Sequence, residues 1–248
     1  KVLLITWAGD GEDVSAPEIA YTWVRELSKD HEVTLSSTSK HDRFGVVKLQ
    51  FPNLNVIEWS DYKYPNFLKS FAATVKPGYW LHYFKARRFL KSHLKDHSYD
   101  LIHHISPFAW RYPSPATGLG LPLLKGPIGG GLETPPEFRK EIVKSEPLYF
   151  KLRALDKIRK YCDPLLIHTF KHTDQFLLAS DYVLEVVKPL KIKSYEIMLE
   201  HGLSDEMIKP FREPSPQLSG KLIRVLYVGR IARTKGVRDA IRALAVSK

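Results

Sequence analysis

Short apolar runs, each bounded by turn-forming or charged residues, alternate along this chain with stretches in which apolar positions recur every three or four residues. The runs at residues 2–6, 32–36, 55–59, 101–105, 122–125, 176–179, 195–199 and 224–228 read as buried strands. Between the first two, Ser15-Ala16-Pro17-Glu18 has the spacing of a capping box, and Ala16, Ala20, Trp23 and Leu27 continue one helical stripe. Further helices are expected over about 79–95, over 181–187, and from Gly236 onward. Strands alternating with helices predict an α/β protein with a doubly wound, mostly parallel, Rossmann-like sheet.

Residues 209–220 carry three prolines among polar residues and read as an exposed linker. The expected organisation is one large domain over 1–208, the linker, and a second unit over 221–248. That unit holds a single strand and a single helix and therefore looks truncated, because such a pair cannot bury a sheet face. The length of 248 residues accommodates this arrangement, and 44% apolar with 26% charged residues is ordinary globular usage. No run approaches the ~18 to 20 apolar residues of a membrane-spanning helix, and no signal peptide is recognised. The single cysteine, Cys162, cannot form an internal disulfide, and no Cys/His spacing suggests zinc. A reducing, cytoplasmic setting is expected.

Charge alters the picture more than composition does. With 38 basic and 27 acidic residues, the net charge is +11, which favours polyanions, phosphorylated ligands or anionic lipid surfaces. The densest anomaly is residues 62–97, where eight Lys or Arg face one acid, Asp96, among nine aromatic residues. On a helix, Lys85, Arg88 and Lys95 fall to one side and Trp80, Tyr83, Leu90 and Leu94 to another, so an anionic membrane surface is a candidate partner. The alternative is an ordinary domain helix with aromatic residues in the core and lysines in water. Because no nucleic-acid-binding signature accompanies the charge, a nucleic acid is not the expected partner.

Three glycine-containing turns carry the candidate chemistry. Gly9-Asp10-Gly11 follows the first strand like the start of a dinucleotide fingerprint, but the third glycine is missing and no ribose-binding acid follows the second strand. It reads either as a tight turn or as a loop that lets a ligand approach the backbone. Gly126-Pro127-Ile128-Gly129-Gly130-Gly131-Leu132-Glu133 leads from a strand into a second capping box, Thr134 to Glu137, and reads as an anion or sugar cradle or as a structural turn. In Gly229-Arg230-Ile231-Ala232-Arg233-Thr234-Lys235-Gly236, a strand ends in glycine and two cations stand five residues apart before a helix, a spacing that lets both reach a diphosphate.

Together these stretches resemble the GT-B glycosyltransferases of family 4, also called group 1. Gly229-Arg230 with Lys235-Gly236 looks like the family's second-domain motif, His31-Glu32-Val33-Thr34 and Asp100-Leu101-Ile102-His103 resemble its strand motifs, and Gly126-Pro127-Ile128-Gly129-Gly130 resembles one of its loops. Glu200-His201-Gly202 stands where Pro-Asn-Gly is usual. The resemblance implies two facing Rossmann-like domains and sugar transfer from a nucleotide-diphosphate sugar to a sugar or lipid-linked acceptor, with retention of configuration and without metal or cofactor. It implies donor-diphosphate roles for Arg230, Lys235 and Gly229. It also implies an acceptor-side loop of Gly9, Asp10, Gly11, Gly129, Gly130, Gly131 and Glu133, with His103 as the catalytic histidine in the cleft. A hydrogen-bonded core histidine is the competing reading of His103.

The sequence departs from the family in two places. The paired glutamates that serve donor sugar and ribose are absent, so the chain by itself is expected not to turn over sugar. The second histidine of the fourth strand is replaced by Ile105, and His104, next to His103, should face the opposite side of the sheet. The alternatives to a transferase are a sugar-nucleotide epimerase of similar fold and a non-catalytic basic binding domain.

Overall fold

The computed structural model describes residues 1–68, 72, 76–138, 147–203, 208–209, 225–229, 231 and 235–246, with the backbone alone described for 147–154. The chain divides into one unit of residues 1–132 and 152–201 and another of 133–151 and 202–248. Residues 133–151, expected in the first domain, therefore go with the second unit, and the linker from 210 to 220 lies outside the described residues.

The first unit is built on β1 (Val2–Ile5), β2 (Val33–Ser39), β3 (Asn55–Ser60), β4 (Leu101–His104), β5 (Leu123–Ile128), β6 (Gln175–Leu178) and β7 (Tyr195–Ile197). They form one seven-stranded sheet in the order β3-β2-β1-β4-β5-β6-β7. Every pairing is parallel. This is the doubly wound α/β architecture the sequence predicts, with the order reversing between β1 and β4 and helices on both faces.

Burial on both faces explains the continuous apolar runs. Leu4 of β1 packs with Ile19, Ala20 and Val24 of α1 (Ala16–Asp30). Its neighbours Leu3 and Ile5 pack on the other face with Leu90 of α3 (Pro77–Asp96). Between these helices lies the short α2 (Val46–Gln50). Farther along, α4 (Pro147–Cys162), α5 (Pro164–His172) and α6 (Asp181–Val187) follow, and Phe170, Phe176, Leu178 and Val183 form a third cluster.

Several local expectations change. The Ser15 hydroxyl makes no capping bond, and Ser15 itself sits at φ 69°, so α1 starts without the predicted capping box. β2 extends past Ser36 to Ser39 because its hydroxyls find partners within the fold. Thr6 donates to Ser37 at 2.8 Å and Trp59 Nε1 donates to Ser36 at 3.0 Å. β5 runs on to Ile128 through a bulge between Lys125 and Ile128, which is how Pro127, lacking an N–H, fits in an interior strand. Gly126 sits there at φ 136°, where a Cβ would lie 2.4 Å from the Leu177 carbonyl oxygen.

Of the strand expected over 224–228 in the second unit, residue 224 lies outside the described residues, and residues 225–228 are exposed and carry no strand. The expected final helix is present as α7 (Val237–Val246).

Candidate functional site

The carboxyl ends of β1, β2 and β3 open into a cleft of about 790 Å³. Trp7, just past β1, and Gly78, in the first turn of α3, form part of its wall. Lys40, His41, Asp42, Asp61, Tyr62, Lys63, Tyr64 and Lys76 contribute the polar and aromatic lining. Trp7 is held edge-on against His82, with ring centroids 5.2 Å apart, and tilted against Tyr79 at 5.3 Å. The Tyr64 hydroxyl is buried and has no hydrogen-bond partner among the described residues. Desolvation raises its pKa. A Cβ at Gly78 would come within 2.9 Å of that hydroxyl, so the glycine makes room for it.

Beyond Trp7 lie two buried polar pairs drawn from four elements. Thr38 Oγ1 and His82 Nδ1 are 3.2 Å apart, and Lys125 Nζ is 3.2 Å from His104 Nδ1. His104 also bonds the Ser106 backbone through its side chain, so Nδ1 accepts from Lys125 while the other ring nitrogen donates. Burial pushes His82 down to about 4 and Lys125 down to about 7. The histidines at 103 and 104 face opposite sides of the sheet, as strand alternation requires. His103 turns toward α1, with its ring edge-on to Trp23 at 5.7 Å, and its Nε2–H donates to the Gly126 carbonyl at 2.8 Å. It is only 2% exposed, and burial pushes its pKa down to about 4, so it is neutral at pH 7.

The Gly9, Asp10 and Gly11 turn is fastened internally. Arg43 holds the Asp10 carboxylate through two nitrogens, and Gln50 Nε2 and the Glu12 N–H add bonds at 2.9 and 3.0 Å. The Arg43 hydrogen bond in particular draws the Asp10 pKa below the usual carboxylate range. A Cβ on Gly11 would meet the Tyr21 ring at 2.7 Å, so the glycine serves close packing of the turn on α1.

The loop after β5 is open in a different way. Gly130 and Gly131 adopt φ of 81° and 90°, and the Gly129 N–H is tied to the Phe108 carbonyl at 2.6 Å. Against Gly129 lies the carboxylate of Glu200, just beyond β7. Glu133, Gly229 and Lys235 belong to the second unit, where Glu133 and Lys235 are exposed and Gly229 adopts φ 152°. Arg230 lies outside the described residues. The sheet thus brings His103 and the glycines at 129, 130 and 131 to neighbouring strand ends.

Sequence reasoning did not assign the cleft residues Trp7, Asp61, Tyr62 and Tyr64. The signal was the cationic and aromatic density that begins at residue 62. The companion expectation for α3 resolves differently, because Tyr83 and Leu90 are buried and Trp80 and Leu94 are half-buried, while Lys85, Arg88 and Lys95 are exposed. Comparison of the chain with protein-family models and with curated proteins finds no match. Among the described residues no helix is long and apolar enough to cross a membrane.

Proposed function

We propose that the protein is the acceptor-side lobe, with the start of the donor lobe, of a glycosyltransferase that moves a sugar from a nucleotide-diphosphate sugar to an acceptor without a metal. The observation that carries this reading is the cleft at the carboxyl edge of a parallel sheet, where open α/β folds hold their ligands. Its lining suits a carbohydrate. Trp7 and Tyr62 offer apolar ring faces for the C–H side of a pyranose, and Asp42, Asp61 and the unpartnered Tyr64 hydroxyl offer bonds to its hydroxyls. In this reading Gly229, Arg230 and Lys235 serve the donor diphosphate, and neutral His103 supports the Gly126 turn from which the glycine loop departs.

The test is titration of the protein with UDP-glucose, GDP-mannose and simple oligosaccharides, followed by tryptophan fluorescence. Saturable quenching by a sugar that is lost in Trp7→Ala is the expected result. No response to any of them overturns the reading, and isomerisation of a nucleotide sugar without an acceptor would identify an epimerase instead.

A second observation favours an anionic membrane as the place of work. The outward face of α3 exposes Leu81 and Phe84, and Lys85, Arg88, Lys91 and Lys95 continue it, with Asp96 at the helix end as its one acid. Apolar side chains beside cations are what an interfacial surface presents to anionic lipid. Salt-sensitive cosedimentation with vesicles containing phosphatidylglycerol, but not with phosphatidylcholine alone, is expected, and Lys85→Glu with Arg88→Glu should abolish it. Binding indifferent to lipid charge would remove this reading.

A further inference from the structure

The Glu200 carboxylate lies so close to the loop after β5 that a Cβ on Gly129 would fall 1.6 Å from its Oε1. Only glycine at 129 permits that approach. The approach is fixed from behind, because Trp23 Nε1 donates to the Glu200 backbone carbonyl at 3.1 Å and thereby ties the end of β7 to α1. The same Trp23 ring rests on His103, whose imidazole holds the Gly126 carbonyl at the start of the loop. Contacts running from β4 through α1 to the end of β7 thus fix the Glu200 main chain, and the anchoring is done by backbone and rings rather than by its carboxylate oxygens.

Those oxygens are half-buried, and among the described residues no side chain or N–H is hydrogen-bonded to them. Burial raises the Glu200 pKa, and the neighbouring His201 offsets part of that rise. Half-burial leaves part of the carboxylate facing outward, free to accept hydrogen bonds from a ligand that supplies donors. Beside it, Gly130 and Gly131 carry no side chains to block a ligand, and Gly130 is exposed.

We infer that Glu200 and the loop of Gly129, Gly130 and Gly131 form a sugar-binding subsite, in which the carboxylate accepts hydrogen bonds from ligand hydroxyls laid over the glycine backbone. The inference deepens the glycosyltransferase reading and rests on it for the class of ligand. Because the anchor to Trp23 uses the Glu200 main chain, changing the side chain leaves the framework intact.

The experiment compares wild type, Glu200→Gln, Glu200→Ala and Gly129→Ala in fluorescence titrations with UDP-glucose, GDP-mannose and maltose, with thermal melting of each variant as a fold check. For the probe that wild type binds, Glu200→Ala and Glu200→Gln should weaken affinity about ten- to a hundredfold while melting with wild type. Gly129→Ala, which displaces the carboxylate, should weaken it similarly. Wild-type affinity should also fall as the pH is lowered through the protonation of Glu200, whereas Glu200→Gln should be flat. Unchanged affinity in both Glu200 variants overturns the subsite and leaves the broader reading standing. Failure of wild type to bind any of the three probes overturns both.

Discussion

Lys125 and His104 are register partners on adjacent parallel strands, and their side chains meet at 3.2 Å between Nζ and Nδ1, each about 1% exposed. Burial lowers the lysine to about 7, with no acid paired to it among the described residues. Between about pH 7 and the unfolded value of 10.5, the unfolded chain binds a proton that the native protein does not, so stability should rise with pH through that window and be flat below it. Lys125→Met should remove the rise. It should also increase the unfolding free energy at pH 6.5 by about 2 kcal/mol, because the relieved desolvation exceeds the cost of leaving Nδ1 of His104 without a donor. Urea midpoints at pH 6.5 and 10 for both proteins check this.

The histidines give a second window with the same sign. His82 and His103 are held near 4 by burial against an ordinary value of 6.5. The unfolded state takes up their protons first as the solution is acidified, so the part of the stability that depends on these two histidines is full above about 6.5 and declines toward 4. His103→Gln, which keeps a donor for the Gly126 carbonyl, should flatten part of that decline in denaturant melts from pH 7 to 4.5.

Packing of the first turn makes a steric prediction. Gly11→Ala places a methyl 2.7 Å from the Tyr21 ring and should cost about 1–3 kcal/mol. Tyr21→Ala in the same chain should make that second change nearly neutral, a coupling readable in a double-mutant cycle.

The Asp10 framework makes an electrostatic one. Asp10→Asn leaves Arg43 facing a neutral amide beside Gln50 and should destabilise the fold, by less than loss of a wholly buried pair because Arg43 keeps contact with water. Chemical denaturation at pH 7 measures it, and the difference from wild type should shrink as acid protonates Asp10.

Local pattern carried the sheet well. The runs of β1, β3, β4 and β6 lie within about a residue of their expected bounds, in β1, β4 and β6 because the strands are buried almost throughout, and in the edge strand β3 although it is only partly buried and includes Glu58. It failed where polar atoms are satisfied by distant partners. The serines that lengthen β2 look like a loop until Thr6 and Trp59 supply their hydrogen bonds, and α5 was passed over although Asp163 caps it by accepting from Leu165 and Leu166 at 3.1 Å. The candidate site was legible as glycine loops and as cationic density, not as geometry. Nothing local relates His82, His104 and Lys125, and nothing brings Glu200 to Gly129, since the topology alone makes those meetings.

The bulge in β5 works as a mechanical offset between the two halves of the sheet. Pro127 gives up a rung of the ladder, and β6 pairs with β5 on both sides of the irregularity, at Leu124 and Lys125 before it and at Ile128 after it, so β5 carries one residue more than β6 across that stretch. Three steps along β5 from Lys125 to Ile128 match two along β6 from Phe176 to Leu178, so removing one residue there would level the two ladders and make the glycine cradle leave the strand one position earlier.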